Sequence, residues 1–471
     1  MNISKTMFRG YDIRGLVGVD LTPEVVTHLG RAYATFLHRR QIRECVVGMD
    51  VRESSPEYKD AFIKGLLSMG IDVTDFGLSL TQIMYFAQYH YLSKGGAMIT
   101  ASHNPKEFNG LKLAVGFSDT LITEEIQELR EIAEKAEFVG WDREGILKQD
   151  DVFSAYKADL LKRTALTDSG LTVVIDSSCT TTGKFLPTIL REAGCTVIEK
   201  NTNLDSSFPL GTPDPTEREV LERLAAEVLE AKADLGVTYD SDGDRLGIVD
   251  AKGRIMWNDV LVALFAEDIL HYLPGSPIVF NTLCSKVVGD TIEKFGGKAV
   301  MWRVGHSFIK QKVREVRAPF GGELSGHFFF MDNFYGHDDG AFATLRLLQY
   351  LKRTGKTLAQ ALDDLPKYIG SPEVKLGLAD EIKFDFVNTK IAAEIKALMP
   401  DAAYIDIDGI RADTKTTMAT IRASQNGPYI TIKFEGKTQE EYDSLKTKIR
   451  DILKKYPEID WSAGVNTHAF E

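Results

Sequence analysis

Three segments of this chain repeat one order of elements: a short strand rich in β-branched residues, a polar loop, a helix, a glycine and a second strand. The first strands of the copies are Val46–Asp50, Val173–Asp176 and Ile278–Asn281. The helices end at Gly70, Gly194 and Gly296. Glycine supplies the left-handed residue after a helix, and strands that alternate with helices form mainly parallel sheets. The repeat favours three similar α/β domains over one large doubly wound sheet.

The C-terminal part follows another pattern. The segments Tyr404–Ile407, Met418–Ile421 and Tyr429–Phe434 alternate apolar and polar residues, as half-buried strands do. A capping box, Thr438 with Glu441, opens a helix after them. We expect one apolar face on this helix, carrying Tyr442, Leu445, Ile449, Ile452 and Tyr456. This part therefore predicts a smaller α+β domain.

The length of 471 residues also predicts several domains. We place them at residues 1–145, 146–250, 251–368 and 369–471. A net charge of −12 argues against general nucleic-acid binding. The four cysteines show no CxxC spacing, which favours free thiols in a reducing compartment. Because no long apolar run or signal-peptide core occurs, we expect a cytoplasmic protein without a membrane span.

Ser102 lies in the polar turn Thr100–Pro105, directly after an apolar segment. A proline and an asparagine favour a turn that exposes its hydroxyl. Alone, such a turn carries no function. A serine hydrolase is a poor match, because no GxSxG motif occurs and His103 is adjacent in sequence. Lys112, ten residues on, is a candidate proton donor or phosphate partner.

A second loop carries three carboxylates at alternate positions, Asp240, Asp242 and Asp244, followed by Arg245. On an extended segment the three would point to one side, where their repulsion favours a bound cation. Mg²⁺ suits such an oxygen set. An EF-hand is excluded because Arg245 stands where its turn glycine belongs. A solvated acidic turn between two strands is the alternative.

Two further loops are candidate ligand sites. Glu323, Ser325 and His327 alternate in a glycine-rich loop and could face sugar hydroxyls, although a plain hairpin fits equally well. The turn with Arg422, Ser424 and Asn426 could bind an oxyanion, unless it only connects two strands. The segment Ser178–Phe185 approaches a P-loop but lacks its first glycine and its Ser/Thr after lysine, so we expect no nucleotide site.

Together these loops resemble the α-D-phosphohexomutase superfamily, most closely its bacterial phosphomannomutase/phosphoglucomutase branch. The resemblance covers nearly the whole chain, through Phe8–Gly15, Gly48–Pro56, Thr100–Pro105 with Lys112, Asp240–Arg245, Gly305–His306, Glu323–His327 and Arg422–Pro428. It implies four domains around a central active-site cleft. It also implies that a phosphoserine interconverts hexose 1-phosphate and hexose 6-phosphate through a bound hexose 1,6-bisphosphate.

Carried over by position, the resemblance implies a role for each candidate residue. Ser102 would be the phosphoserine and would share Mg²⁺ with Asp240, Asp242 and Asp244. The reacting group would be surrounded by His103, Lys112 and Arg245, with proton transfer assigned to Lys112. The substrate would be held by Tyr11, Arg14, His306, Glu323, Ser325, His327, Arg422, Ser424 and Asn426. Among these, Glu323 and Ser325 would bind sugar hydroxyls. Arg422, Ser424 and Asn426 would bind the phosphate that does not react.

The expected activity is therefore a Mg²⁺-dependent mutase for mannose or glucose phosphates. The alternatives are a phosphoglucosamine mutase, a metal-dependent sugar phosphatase and a non-catalytic sugar-phosphate sensor. We expect small hexose phosphates as partners, no nucleic acid or membrane, and a monomer or weak dimer. Three departures from the family pattern bear on binding: Leu283 replaces a frequent basic residue, Ser177–Thr180 replaces Gly-Asn-Gly, and Gly427 replaces Thr or Glu.

Overall fold

A six-stranded mixed sheet contains the first copy of the repeat. We describe residues 3–471 from a computed structural model. The strands are β1 Ile13–Leu16, β2 Glu44–Met49, β3 Asp72–Leu78, β4 Gly95–Ile99, β5 Phe108–Val115 and β6 Leu147–Gln149. The helices are α1 Pro23–Arg39, α2 Ser55–Leu67, α3 Thr81–His90 and α4 Thr123–Lys135. The order is β1-β5-β4-β2-β3-β6, with β2 parallel to β3 and β4, and β4 antiparallel to β5.

Two glycines let helices α1 and α2, which pack beside the first sheet, approach each other closely. A Cβ on Gly30 of α1 would lie 2.5 Å from Phe62 O, and one on Gly65 of α2 would lie 2.3 Å from Thr27 O. Either substitution would push the helices apart. Tyr33 links α1 to the sheet, because its buried hydroxyl donates a hydrogen bond to Ala114 O on β5 at 2.6 Å.

The second copy of the repeat lies in a five-stranded sheet. Its strands are β7 Thr172–Asp176, β8 Thr196–Lys200, β9 Leu235–Tyr239, β10 Leu246–Asp250 and β11 Ile255–Met256. Its helices are α5 Phe153–Thr164, α6 Thr182–Glu192 and α7 Arg218–Ala231. The order is β11-β10-β9-β7-β8; β7 is parallel to β8 and β9, and β9 is antiparallel to β10.

The third copy follows in the next part of the chain. Its helices are α8 Asn258–Tyr272, α9 Lys286–Lys294 and α10 His306–Glu315, and its strands are β12 Pro277–Asn281, β13 Lys298–Trp302 and β14 Phe320–Gly322. β12 pairs in parallel with both β13 and β14. The elements after it are β15 Phe328–Phe330, α11 Gly340–Thr354 and α12 Leu358–Asp363.

The C-terminal part is a seven-stranded sheet with helices. Its strands are β16 Ile369–Gly370, β17 Val374–Gly377, β18 Ala403–Ile405, β19 Ile410–Asp413, β20 Thr417–Ala423, β21 Tyr429–Gly436 and β22 Asp460–Val465. Its helices are α13 Lys383–Phe386, a π-helical turn Val387–Ile391, α14 Ala392–Leu398 and α15 Gln439–Leu453. The order is β18-β19-β20-β21-β17-β22, and β16 also pairs with β21.

The predicted fold class is confirmed: three mixed α/β domains and a further α+β domain. In each copy the two predicted strands pair in parallel. The glycines after the three helices adopt left-handed φ values of +79°, +81° and +73°, at Gly70, Gly194 and Gly296. The Thr438–Glu441 capping box of α15 is formed. The prediction that Tyr456 lies on the apolar face of this helix was wrong. Tyr456 follows the end of α15 and packs on the core from the next segment.

By packing, the chain divides into two compact units. The first contains Met1–Asn258 and Ser325–Asp363, and the second contains Asp259–Leu324 and Asp364–Glu471. The finer domain limits stay a prediction. Within residues 3–471, no helix combines the length and apolar character that a membrane span requires. All four cysteines are buried and free of disulfides.

Two neighbouring carboxyl groups, the buried Asp176 at the end of β7 and the half-buried Glu227 on α7, make stability depend on pH. Asp176 accepts from Arg223 Nε at 2.6 Å, and Glu227 lies in the same cluster. Burial, and then the charge of Asp176, raises the pKa of Glu227 to about 7 from an ordinary value of 4.5. The folded state thus binds more protons than the unfolded state in this window, and the free energy of unfolding should fall as pH rises from 4.5 to about 7.

The variant Glu227→Gln should flatten this part of the stability profile. Urea unfolding of both proteins across the window measures it. Glu230→Gln, an exposed position on the same helix, is the control and should keep the wild-type slope. An unchanged slope in Glu227→Gln would show that another group titrates.

Candidate active site

The residues that follow β4, which we call the serine loop (residues 100–107), hold Ser102 in a strained conformation. Ser102 has a φ of +52°, a region that residues other than glycine rarely adopt. Its N–H donates to Thr100 Oγ1 at 2.8 Å, and its side chain is buried. Strain of this kind persists only where surrounding contacts impose it. The observation marks Ser102 as a functional candidate.

The Ser102 hydroxyl faces the carboxylates of the second sheet. Its Oγ donates to Asp240 Oδ2 at 2.6 Å. His103 Nδ1 lies 3.1 Å from the same Oγ, so the neighbouring histidine does reach the hydroxyl. The structure thus brings Ser102, His103 and Asp240 together, although 138 positions separate the serine from the aspartate.

The carboxylate cluster, defined as Asp240, Asp242 and Asp244, lies in the turn between β9 and β10. The expectation of an extended segment was wrong: residues 240–245 form a turn that contains Gly243 at a φ of +78°. The three carboxylates still converge, each with a ligand atom within 4.8 Å of the others. All three residues are 0% exposed, so their charges must be balanced inside the protein.

Lys112 on β5 supplies part of that balance. Its Nζ lies 2.8 Å from Asp242 Oδ2 and also binds Asp244 Oδ2. Burial alone would lower the pKa of Lys112, but the charges of Asp242 and Asp244 raise it well above its ordinary value. Burial and the two neighbouring carboxylates raise the pKa of Asp240. A single ammonium thus shares a buried site with three carboxyl groups.

The cluster fits a hard divalent cation. Lys112 occupies Oδ2 of Asp242 and of Asp244, whereas Oδ1 of each is buried without a hydrogen-bond partner. A buried oxygen of this kind is costly unless something binds it. Carboxylate oxygens beside a serine hydroxyl are the donors that Mg²⁺ prefers. The donor set therefore fits Mg²⁺.

The N-terminus of α3 orients Asp242, which we did not anticipate from the sequence. Thr81 Oγ1 donates to Asp242 Oδ2 at 2.7 Å, and Thr81 N–H donates to Asp242 O at 3.0 Å. Next to it, Gln82 Nε2 donates to Gly243 O at 2.9 Å. These bonds join the first sheet's helix to the second sheet's turn and direct Oδ1 of Asp242 away from the protein donors.

We expect Thr81→Val to weaken Mg²⁺ binding by about tenfold, because groups that orient a metal ligand typically contribute 10–100-fold in affinity. Calorimetric titration with Mg²⁺ alone measures the effect without reference to activity. Thr27→Val is the control, because the Thr27 hydroxyl only bonds within α1. Equal Mg²⁺ affinity in Thr81→Val and the wild-type protein would show that Thr81 does not orient Asp242 for metal binding.

Arg245 closes the other side of the cluster. Its N–H donates to Asp240 Oδ1 at 3.1 Å, and its Nε lies 3.0 Å from His327 Nε2. The other ring nitrogen of His327 lies 3.0 Å from Asp338 Oδ2. Burial would lower the pKa of Arg245, but Asp214 and Asp240 raise it. Arg245 is thus a permanent cation beside Ser102's carboxylate partner.

Three further predicted site residues belong to the first unit: Arg14, Tyr11 and Ser325. Arg14 pairs with Asp12 at 2.8 Å, donates to Ala101 O at 3.2 Å and binds Asn104 Oδ1. Arg14 therefore contacts the serine loop itself. Tyr11 is buried, and Ser325 is partly exposed.

In the second unit, Glu323 and Arg422 are each held by defined contacts. Glu323 Oε1 accepts from Asn281 Nδ2 at 3.0 Å and from Gly305 N–H at 2.8 Å. Arg422 is 4% exposed, and its Nε donates to Asp408 Oδ2 at 2.7 Å. The Arg422 guanidinium is thus a positioned, buried group rather than a solvated surface charge.

The remaining predicted residues of the second unit lie near the ends of elements. His306 is the first residue of α10 and is buried. Ser424 follows β20, and its Oγ accepts from Asn426 N–H at 3.0 Å. These contacts define a turn with a buried hydroxyl.

The structure explains one of the three departures from the family pattern. A side chain at Gly427 would begin 2.5 Å from the ring of Tyr429, so the glycine makes room for this tyrosine. In the loop after β7, Ser178 and Cys179 both adopt left-handed φ values and Ser178 Oγ accepts from Arg223 Nη2 at 2.7 Å, which does not explain the lack of glycine there. Leu283 is simply buried.

Comparison with known proteins places this geometry in a family. Profiles described as phosphoglucomutase/phosphomannomutase α/β/α domains I, II and III match residues 5–140, 153–253 and 257–368. The chain belongs to the phosphoglucomutase/phosphomannomutase family, within the α-D-phosphohexomutase superfamily. It is therefore an enzyme, of the isomerase class.

Relatives in this family match over nearly their full length. A phosphomannomutase/phosphoglucomutase of Pseudomonas aeruginosa is 36% identical over 95% of this chain and 96% of its own. A phosphoglucomutase of Neisseria gonorrhoeae is 34% identical over 98% and 99%. The crystal structure of a family protein from Burkholderia thailandensis has a TM-score of 0.87 at 31% identity, covering 96% of this chain and 98% of that one.

Proposed function

We propose that this enzyme interconverts hexose 1-phosphates and hexose 6-phosphates through a phosphorylated Ser102. The observation that carries the proposal is the hydrogen bond from Ser102 Oγ to Asp240 Oδ2, inside a buried cluster of three carboxylates and Lys112. Such a site holds a phosphoryl acceptor beside a place for a cation. Phosphoryl transfer depends mainly on positioning and charge stabilisation, which this arrangement supplies.

In the proposed reaction each group has a defined task. The phosphoryl group passes from Ser102 to a hydroxyl of the hexose phosphate, and the resulting hexose 1,6-bisphosphate returns its other phosphoryl group to Ser102. Mg²⁺, held by Asp240, Asp242 and Asp244 with the serine phosphate, would neutralise charge on the transferring group. Arg245 and His103 lie beside the reacting group, where Arg245 stabilises the same charge, and Lys112 carries the proton of the reacting hydroxyl.

The substrate-binding roles rest on the family resemblance and on the contacts of each residue. Glu323 keeps Oε2 for a sugar hydroxyl while Oε1 is held by Asn281 and Gly305. We assign Ser325, His306 and His327 to the sugar as well. We assign Arg422, Ser424 and Asn426 to binding the phosphate group that does not react. Tyr11 and Arg14 are further ligands of the substrate.

Mannose or glucose phosphates are the proposed substrates, because the relatives above carry the names phosphomannomutase and phosphoglucomutase. Glucosamine phosphate is the second candidate among mutase substrates. We further propose a cytoplasmic monomer or weak dimer, consistent with four free buried cysteines.

One coupled assay tests the proposal. Mannose 1-phosphate, glucose 1-phosphate and glucosamine 1-phosphate are compared, each with Mg²⁺ and a catalytic amount of hexose 1,6-bisphosphate. We expect 6-phosphate products from mannose or glucose with little free phosphate. Rapid phosphate release from glucose 1-phosphate without glucose 6-phosphate would instead identify a phosphatase, and turnover confined to glucosamine would identify the second mutase.

A further inference from the structure

A single buried side chain, Arg52, binds three carbonyl groups of the serine loop and one at the start of β5. Its Nη1 and Nη2 groups donate at 2.7 to 3.0 Å to the carbonyls of Ser102, Asn104, Pro105 and Phe108. Its Nε donates to Asp50 Oδ2 at 3.1 Å. Arginine has five N–H donors in a fixed planar fork, so all of them are used here.

Asp50, the partner of Arg52, reaches the opposite side of Ser102. Asp50 Oδ2 accepts from Thr100 Oγ1 at 2.8 Å, and this hydroxyl oxygen accepts from Ser102 N–H at 2.8 Å. Asp50 is itself fixed by Ser55 Oγ, which donates to its Oδ1 at 2.7 Å. The pair Asp50 and Arg52, which we call the loop clamp, therefore holds both main-chain polar groups of Ser102.

The loop clamp accounts for the left-handed conformation of Ser102. A φ of +52° is unfavourable for serine and needs contacts that fix it from both sides. Arg52 is 2% exposed, and its guanidinium lies 4.9 Å from the ring centre of Phe208, in the second sheet's part of the chain. Because the clamp is buried and saturated with partners, it has little freedom to move.

We propose that Arg52 is a positioning residue that sets the direction of Ser102 Oγ and thereby decides whether its phosphoryl group passes to a sugar or to water. This inference rests on the proposed phosphoserine mechanism. In the loss to water, a water oxygen forms a bond to phosphorus and the bond from phosphorus to Ser102 Oγ breaks. One water proton goes to Oγ and the other stays on the released phosphate.

A lysine cannot replace Arg52 in this task. Its ammonium is a point charge with three donors, whereas the clamp needs a planar group that reaches four carbonyls and one carboxylate. With Lys at this position the positive charge stays, but part of the serine loop loses its donors. The substitution Arg52→Lys therefore separates geometry from charge.

The test compares Arg52→Lys with Arg346→Lys. Arg346 is also buried; it pairs with Asp332 at 2.9 Å and lies 4.7 Å from the ring centre of Phe330, and both partners are remote in sequence from the serine loop. In Arg52→Lys we expect mutase kcat to fall by about a hundredfold, since small misplacements of reacting groups have effects of that size. KM should change little, and phosphate released per sugar isomerised should rise severalfold.

Two further readouts keep the inference testable. Hydrogen exchange of the amides in residues 101–108 should accelerate in Arg52→Lys and not in Arg346→Lys. If Arg52→Lys does not fold, Thr100→Val removes the hydroxyl that links Asp50 to the Ser102 N–H and should shift the same phosphate ratio. Wild-type kcat, or reduced kcat with an unchanged phosphate ratio, would overturn the inference. A wild-type enzyme without mutase activity would overturn the proposed function instead.

Discussion

Ser102→Ala is expected to lower mutase turnover by about 10⁴-fold or more, the scale seen when a nucleophile is removed from a preorganised site. The mechanism gives Ser102 the only covalent role, since its Oγ would carry the phosphoryl group between the two halves of the reaction. The substitution removes one oxygen from a buried position and leaves the carboxylate cluster intact.

Two measurements check this expectation. Product formation from glucose 1-phosphate should disappear, while calorimetric binding of the same sugar phosphate should keep its Kd within a few-fold. Ser93→Ala is the matched control, because Ser93 is a buried serine in the loop before β4 whose hydroxyl donates to Gly95 O at 3.0 Å. Substantial turnover in Ser102→Ala would exclude a phosphoserine mechanism and support another nucleophile or a sensor.

Asp242→Asn should have the second-largest effect, on metal binding and activity together. The substitution keeps the size of the side chain but removes a charge from a cluster in which Lys112 already binds Oδ2. Residues that merely orient a ligand contribute 10–100-fold in affinity, so loss of a ligand's charge should cost at least about a hundredfold. The Mg²⁺ concentration for half-maximal activity should rise in parallel.

Titration with Mg²⁺ alone separates the metal effect from catalysis. Asp250→Asn is the control, since Asp250 is equally buried and lies at the end of β10, but its carboxylate pairs with Arg254 at 2.6 Å. The Asp250→Asn variant should be less stable than the wild-type protein but should bind Mg²⁺ with unchanged affinity. Full activity and unchanged Mg²⁺ affinity in Asp242→Asn would show that the three carboxylates are not the metal site.

Local sequence patterns predicted most of the fold. The strands β2, β7 and β12 and the glycines after α2, α6 and α9 depend on periodicity and on helix ends, both of which are encoded nearby in the chain. The failures were also local. A glycine at a φ of +78° turns the carboxylate segment, so the alternation of Asp240, Asp242 and Asp244 does not describe an extended strand.

The supporting residues of the site could not be predicted in the same way. Thr81 meets Asp242 across 161 positions, and Arg52 meets Ser102 across 50, so neither contact leaves a periodic signal. Arg52 in addition binds main-chain carbonyls, which no residue type reveals. The family resemblance identified residues of the expected chemistry, but not the contacts that hold those residues in place.

The bonds that join the first two sheets have a consequence for how such a protein can evolve. Ser102 and Thr81 lie in the part of the chain that forms the first sheet, whereas their partners Asp240 and Asp242 lie in the part that forms the second. Neither part alone contains the proposed phosphoryl acceptor together with the three carboxylates proposed to bind the cation. Recombination between residues 150 and 240 would therefore separate the two, and an exchanged part would need to restore the hydrogen bonds of Asp240 and Asp242 with its new neighbour. We therefore expect these two parts of the chain to be inherited together.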